Sequence, residues 1–129
     1  MIFVDSSVWI AAFRDAKSAE ARALTRLLDA DEVAISIPVY LEVLAGAARE
    51  NRAELRKALS ALPRFYPSEE TWTRIERWIG DAAHRGERFG ITDLLVASIA
   101  ADRKAPLWSR DSDFERMARL DFVRLFRPG

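Results

Sequence analysis

Cysteine is absent from the 129-residue chain, and histidine occurs once, as His84. The first absence removes disulfides, thiolate zinc sites and cysteine nucleophiles. The second removes any mechanism or metal site that needs two imidazoles from one chain. An excess of charge of one sign is also missing, because 20 Lys and Arg balance 20 Asp and Glu. That excludes a uniformly basic nucleic-acid binder and leaves room for a local basic patch. No apolar run approaches the roughly 20 residues that span a bilayer. The opening segment from Met1 to Phe13 lacks a basic region and is interrupted by Asp5, so it does not read as a secretory signal. A cytoplasmic protein with no membrane contact is expected. Five glycines and five prolines are too few for a long linker, and no repeat or low-complexity tract is present. One domain spanning residues 1–129 is therefore expected.

What is present is an alternation of short apolar runs and helical patterns. Ile2-Phe3-Val4 reads as a buried strand, followed by helices over Ser7 to Phe13 and Ala19 to Leu28. Val33 to Ile37 reads as a second strand, and Pro38 suits the first turn of a helix running to about Arg49. Asn51 to Leu62 is helical, and Arg64-Phe65-Tyr66 is a third strand. Ser68 with Glu69 and Glu70 opens a helix that ends near Gly86 and places Trp72, Ile75, Trp78 and Ile79 on one core-facing side. Ile91 to Ala101 is apolar nearly all round and reads as a buried helix. Pro106-Leu107-Trp108 is a fourth strand, Ser112 and Glu115 form a capping box, and Phe122 to Phe126 is a fifth strand. This order predicts an α/β fold around a mainly parallel sheet.

Four acids do not fit a solvated surface. Asp5 and Asp111 directly follow the apolar ends of the first and fourth strands, where α/β sheets bind ligands. Glu42 lies in Val39-Tyr40-Leu41-Glu42-Val43-Leu44-Ala45-Gly46 with no charged residue three or four positions away. Asp93 sits in the first turn of the most apolar helix. Each has an ordinary reading as well: Asp5, Asp93 and Asp111 suit helix starts, and Glu42 suits an exposed helix face. Asp113, two residues after Asp111, is a candidate for the same role. If the first and fourth strands are neighbours, these carboxylates converge, and a cluster of carboxylates needs a cation to offset its repulsion. Oxygen-only ligands favour Mg²⁺ or Mn²⁺, and such ions serve phosphate chemistry.

The ordered set of Val4-Asp5-Ser6-Ser7-Val8-Trp9, Pro38 to Gly46, Ile91-Thr92-Asp93-Leu94-Leu95-Val96-Ala97 and Trp108-Ser109-Arg110-Asp111-Ser112-Asp113-Phe114 resembles PIN-domain ribonucleases, specifically VapC-type toxins of type II toxin–antitoxin pairs. The resemblance covers essentially the whole chain. It implies a PIN-like fold, with a five-stranded parallel sheet and helices on both faces, and a homodimer. It implies metal-dependent endoribonuclease activity on RNA with Mg²⁺, or Mn²⁺ as a substitute, and an antitoxin protein that covers the site. Metal binding and catalysis carry over to Asp5, Glu42, Asp93 and Asp111, with Asp113, Ser7 and Ser109 as accessory residues. One metal ion or two is left open.

Other classes fit less well. Aspartyl-phosphate phosphatases need a second acid two residues after Asp5, where this chain has Ser7. Receiver domains need a late lysine, and none follows Lys104. A non-catalytic α/β module for protein interaction or RNA binding is the alternative. Arg14, Lys17, Arg49, Arg52, Arg85, Arg88 and Arg110 are candidates for phosphate contacts. Trp9, Phe13, Leu24, Leu28 and Tyr40 supply apolar surface, mostly for the core. His84 has no expected catalytic role.

Overall fold

The computed structural model describes residues 1–129. Its elements are β1 (Ile2–Val4), α1 (Ser6–Arg14), α2 (Ala19–Asp29), β2 (Val33–Ser36), α3 (Ile37–Gly46), a 3-10 turn (Arg49–Asn51) and α4 (Arg52–Leu59). They continue with β3 (Arg64–Phe65), α5 (Glu69–His84), α6 (Ile91–Asp102), β4 (Leu107–Trp108) and α7 (Ser112–Arg119). The strands form one parallel sheet in the order β3-β2-β1-β4. Every residue of β1 and β2 is buried, as parallel strands covered on both faces require.

Strand order explains where the site lies. The chain steps from β1 to β2 to β3 in one direction, then returns across the sheet to β4 on the far side of β1. With right-handed crossovers, α1–α4 cover one face and α5–α6 the other. The reversal falls between β1 and β4, and the carboxyl ends of strands flanking such a reversal form a crevice. Backbone bonds fix this pair: the Phe3 N–H donates to the Pro106 carbonyl at 3.0 Å and the Asp5 N–H to the Trp108 carbonyl at 2.9 Å.

Three details depart from the sequence expectations. Phe122–Phe126 is not a full strand but a single parallel bridge between Leu107 and Leu125. It is held by the Leu107 N–H to the Arg124 carbonyl and the Phe126 N–H to the Leu107 carbonyl, both at 2.8 Å. With β4 only two residues long, Leu107 alone is available to pair on that side. Helix α5 buries Thr71, Ile75, Trp78 and Ala82, a stripe spaced by four, three and four. Trp72 and Ile79 each lie one position beyond that stripe and are about half exposed, at 49% and 48%. Finally, α7 is capped by Asp111, not Ser112: the Asp111 carboxylate accepts from the Asp113 N–H at 2.9 Å. The Ser112–Glu115 capping box therefore does not form, because an aspartate one position earlier already holds the free amide. Ser68 does cap α5, with Thr71 as its reciprocal partner, and Gly86 takes the left-handed turn just after it (φ 72°).

Candidate active site

Asp5 follows β1 at the crevice and is 5% exposed, one of few buried polar residues. Its carboxylate accepts from the Ser7 hydroxyl at 2.8 Å and from the Ser109 hydroxyl at 2.9 Å. The Ser7 N–H approaches the same oxygen at 3.4 Å, so Asp5 also caps α1. The two hydroxyls lie 3.3 Å apart. The Arg110 N–H donates to the Ser7 hydroxyl and the Asp111 N–H to the Ser109 hydroxyl, each at 3.0 Å. A small network thus ties the loop after β1 to the loop after β4. Both expected accessory serines belong to it, and both fix the orientation of Asp5 while leaving its other oxygen free.

Asp93, Asp111 and Asp113 stand opposite, each offering a carboxylate oxygen with all three oxygens within 4.8 Å of one another. Asp93 is delivered by the third position of α6, and the other two by the start of α7. The Asp93 carboxyl is pushed up to about 6, first by burial and then by the negative charges of Asp111, Asp5, Asp113 and Glu42. Four acids on three other elements therefore act on one group. Glu42 lies on the outer side of α3, exposed at the rim, whereas Val39, Tyr40 and Val43 form the buried side. Its carboxyl is also raised, by partial burial and then by Asp5, with the Ser6 side chain acting in the opposite direction. Glu42 and Asp5 thus act on the cluster by charge, but both stand outside the tight group of three.

Asp113, expected as an accessory to Asp111, lies with it in the group around Asp93, with Asp111 acting the more strongly on Asp93. Ser6 and Arg116 were not among the expected residues. The Arg116 guanidinium lies 3.6 Å from Asp113 and 3.2 Å from Glu87. It also donates to the Arg88 carbonyl at 3.2 Å and covers the Phe89 ring at 4.6 Å. Arg116 therefore straps the loop before α6 to α7 and is a cation within ion-pair reach of the group of three. Its position three residues after Asp113 on a helix was the signal available.

The donor set suits a hard divalent cation. All donors are oxygens, and a 4.8 Å spread is only slightly wider than the about 4.2 Å between opposite oxygens on one Mg²⁺. Burial first, and then the neighbouring carboxylates, raise the Asp93 carboxyl, and a bound cation would offset both.

A PIN-domain family model matches residues 2–120. The chain belongs to the PIN-domain family. VapC ribonuclease Mb1587 of Mycobacterium bovis and ribonuclease VapC11 of Mycobacterium tuberculosis are each 34% identical to this PIN-domain chain over 125 residues, covering 93% of it and 93% of each relative. The VapBC2 structure from Rickettsia felis, bound to a promoter DNA fragment, superposes with a TM-score of 0.78 at 21% identity, covering 98% of both chains. VapBC-5 from Mycobacterium tuberculosis superposes at 0.69 with 25% identity, covering 97% of this chain and 96% of its own. The PIN-like α/β fold expected from the sequence is thus shown, with four strands and a bridge in place of five. No helix of this PIN-domain protein is long and apolar enough to cross a membrane.

Proposed function

We propose that this PIN-domain chain is a metal-dependent endoribonuclease, acting in the cytoplasm as the toxin of a type II toxin–antitoxin pair. The observation that carries the reading is the group Asp93, Asp111 and Asp113 within 4.8 Å, with the Asp93 carboxyl raised to about 6. The names of the 34% identical relatives support RNA as substrate. Asp5, Asp93, Asp111 and Glu42 are the residues assigned to Mg²⁺ or Mn²⁺, with Asp113 beside Asp111. Bound there, the ion would supply Lewis-acid polarisation of a phosphodiester and a lowered pKa for attacking water. The chain's own contributions are orientation and charge. Ser7 and Ser109 hold one oxygen of Asp5, so the other is presented to the crevice. Asp93, kept hard to ionise without a cation, gives the site its preference for a divalent charge. Ser6 and Glu42 form the outer wall.

Two further assignments accompany this one. The residues 1–129 form a single domain, and the active unit is a homodimer held inactive by an antitoxin. Solved structures of VapBC complexes with this fold support the antitoxin.

The test is cleavage of single-stranded RNA by the purified chain. Activity with Mg²⁺ or Mn²⁺, its loss on chelation, and its loss in Asp93→Asn are expected. Loss of an outer partner at a metal site costs roughly 10–100-fold, so a direct ligand should cost at least that much. Chelator-resistant cleavage, or Asp93→Asn cutting at the parent rate, overturns the reading and favours a non-catalytic module.

A further inference from the structure

Beside the acidic crevice an open groove of about 450 Å³ runs between α2 and the loop after β4. Its walls carry Arg22 and Arg26 from α2, Arg110 from the loop, the acidic side chain of Glu20, and Pro128 with Gly129. Ala19, a turn before Arg22, and Ala23, between Arg22 and Arg26, also line it, and their short side chains leave the groove open. Arg110 makes a long ion pair with Glu20 at 3.8 Å, with the arginine side chain 54% exposed. Arg22 and Arg26 have no carboxylate within ion-pair distance. Like charges four residues apart on a helix repel, and neither arginine of this pair has an ion-pair partner to set against that cost.

Position gives the groove its meaning. Trp108 and Arg110 line it, and the residue between them, Ser109, is hydrogen-bonded to Asp5. The Arg110 backbone is anchored at the crevice through Ser7, while its guanidinium lines the groove. An anionic strand leaving the acidic centre on this side meets the guanidiniums of Arg22, Arg26 and Arg110, the side-chain type that contacts backbone phosphates. A chain of net charge zero that concentrates cations beside a carboxylate cluster separates where the backbone is held from where it is cut.

We propose that Arg22, Arg26 and Arg110 form a subsite for the backbone phosphates of single-stranded RNA flanking the scissile bond. The proposal rests on the nuclease reading above. It makes Arg22 and Arg26 binding residues with no part in the chemical step, and it assigns α2 a role beyond packing.

The experiment measures binding and cleavage separately. Affinity for a short, labelled, mixed-sequence RNA is read by fluorescence anisotropy without divalent ion, across a salt series. Steady-state cleavage is read with Mn²⁺. For Arg22→Ala/Arg26→Ala, the affinity should fall several-fold and KM should rise, with kcat unchanged. The salt slope should shrink by about 1.4, at about 0.7 per phosphate contact on a single strand. Arg22→Lys/Arg26→Lys should retain most of the affinity, because an ammonium still binds phosphate as a point charge. Arg77→Ala, an exposed change on α5, should match the parent. A double alanine variant that binds RNA with the parent's affinity and salt slope overturns the subsite, and if the parent still cuts RNA the nuclease reading stands. Loss of binding to a polyglutamate peptide with RNA affinity intact gives the groove to a protein partner and also overturns it. A parent that neither binds nor cuts RNA removes both readings together.

Discussion

Helix α6 carries an aspartate near each end, and the two have opposite surroundings. At the C-terminal end, where the helix dipole disfavours a negative charge, Asp102 is fully partnered. It accepts from the Thr71 hydroxyl and from Arg74. Arg74 also donates to the Ser98 carbonyl and hydroxyl, each at 3.0 Å, and Ser98 donates on to the Thr71 carbonyl at 2.9 Å. At the N-terminal end, where the dipole favours a negative charge, the Asp93 carboxyl is raised first by burial and then by four further acids. A satisfied polar cluster joins two helices and needs nothing from outside. The carboxylates around Asp93 have one cation among them, Arg116 at 3.6 Å from Asp113. The contrast separates polar groups that satisfy one another from the cluster proposed above to take a cation.

Removing a partner should expose the difference most clearly. Arg74→Ala leaves Asp102 half-buried and unpaired, and should cost roughly 2–4 kcal/mol in chemical denaturation. Asp93→Asn in the metal-free protein should leave stability unchanged or raise it, because it relieves repulsion. If both substitutions destabilise alike, the two ends of α6 do not differ as described. Added metal comes next in size. Mg²⁺ or Mn²⁺ at ten times its Kd should stabilise the parent by about 1.4 kcal/mol, and should do little for Asp93→Asn. Thermal melts with and without the ion read this, and the Arg74→Ala protein should keep the full response.

The smallest effect is that of pH. Asp93 titrates near 3.8 unfolded and at about 6 folded, so its ionised form is disfavoured by folding. Its stabilising contribution is complete below the unfolded value and lost as pH rises through about 6. The metal-free parent should therefore gain stability relative to Asp93→Asn when pH is lowered from about 7.5 to about 5. Solvent screening holds the gain to about 1 kcal/mol. Glu42 pushes the same way. With metal present the sign should reverse, since protons compete with the ion for the carboxylates. Paired melts at the two pH values decide the direction.

The acids were legible because their neighbours are apolar. Asp5 follows Ile2-Phe3-Val4, and Asp93 sits beside Leu94 and Leu95, where a carboxylate is conspicuous. The strands β1, β2 and β4 were legible for the same reason. Asp113 was legible only through its nearness to Asp111, and Arg116 lies in a helix rich in charge, where it resembles a surface residue until the packing of α7 against the loop at Glu87–Phe89 assigns its place. The exposure of Trp72 was hidden because aromatic content carries no angle: one residue off the Thr71–Ile75–Trp78–Ala82 stripe turns a ring to solvent. The dual nature of Asp5 and Asp111 was readable only as a choice between cap and ligand. In the structure both aspartates cap helices while facing the crevice.

The pairing of Phe3 with Leu107 has a consequence for the order of synthesis. The chain's first strand is a central strand of the sheet, and one of its two neighbours is translated near the end. Until β4 emerges, Asp5 lacks Ser109, and Asp93 lacks Asp111 and Asp113. Such long-range parallel pairing closes late and slowly. A nascent or prematurely terminated chain therefore holds three of the acids without the arrangement that makes them a site. The proposed site is therefore assembled only after β4 and the start of α7 have been made, and a chain interrupted before Leu107 lacks it.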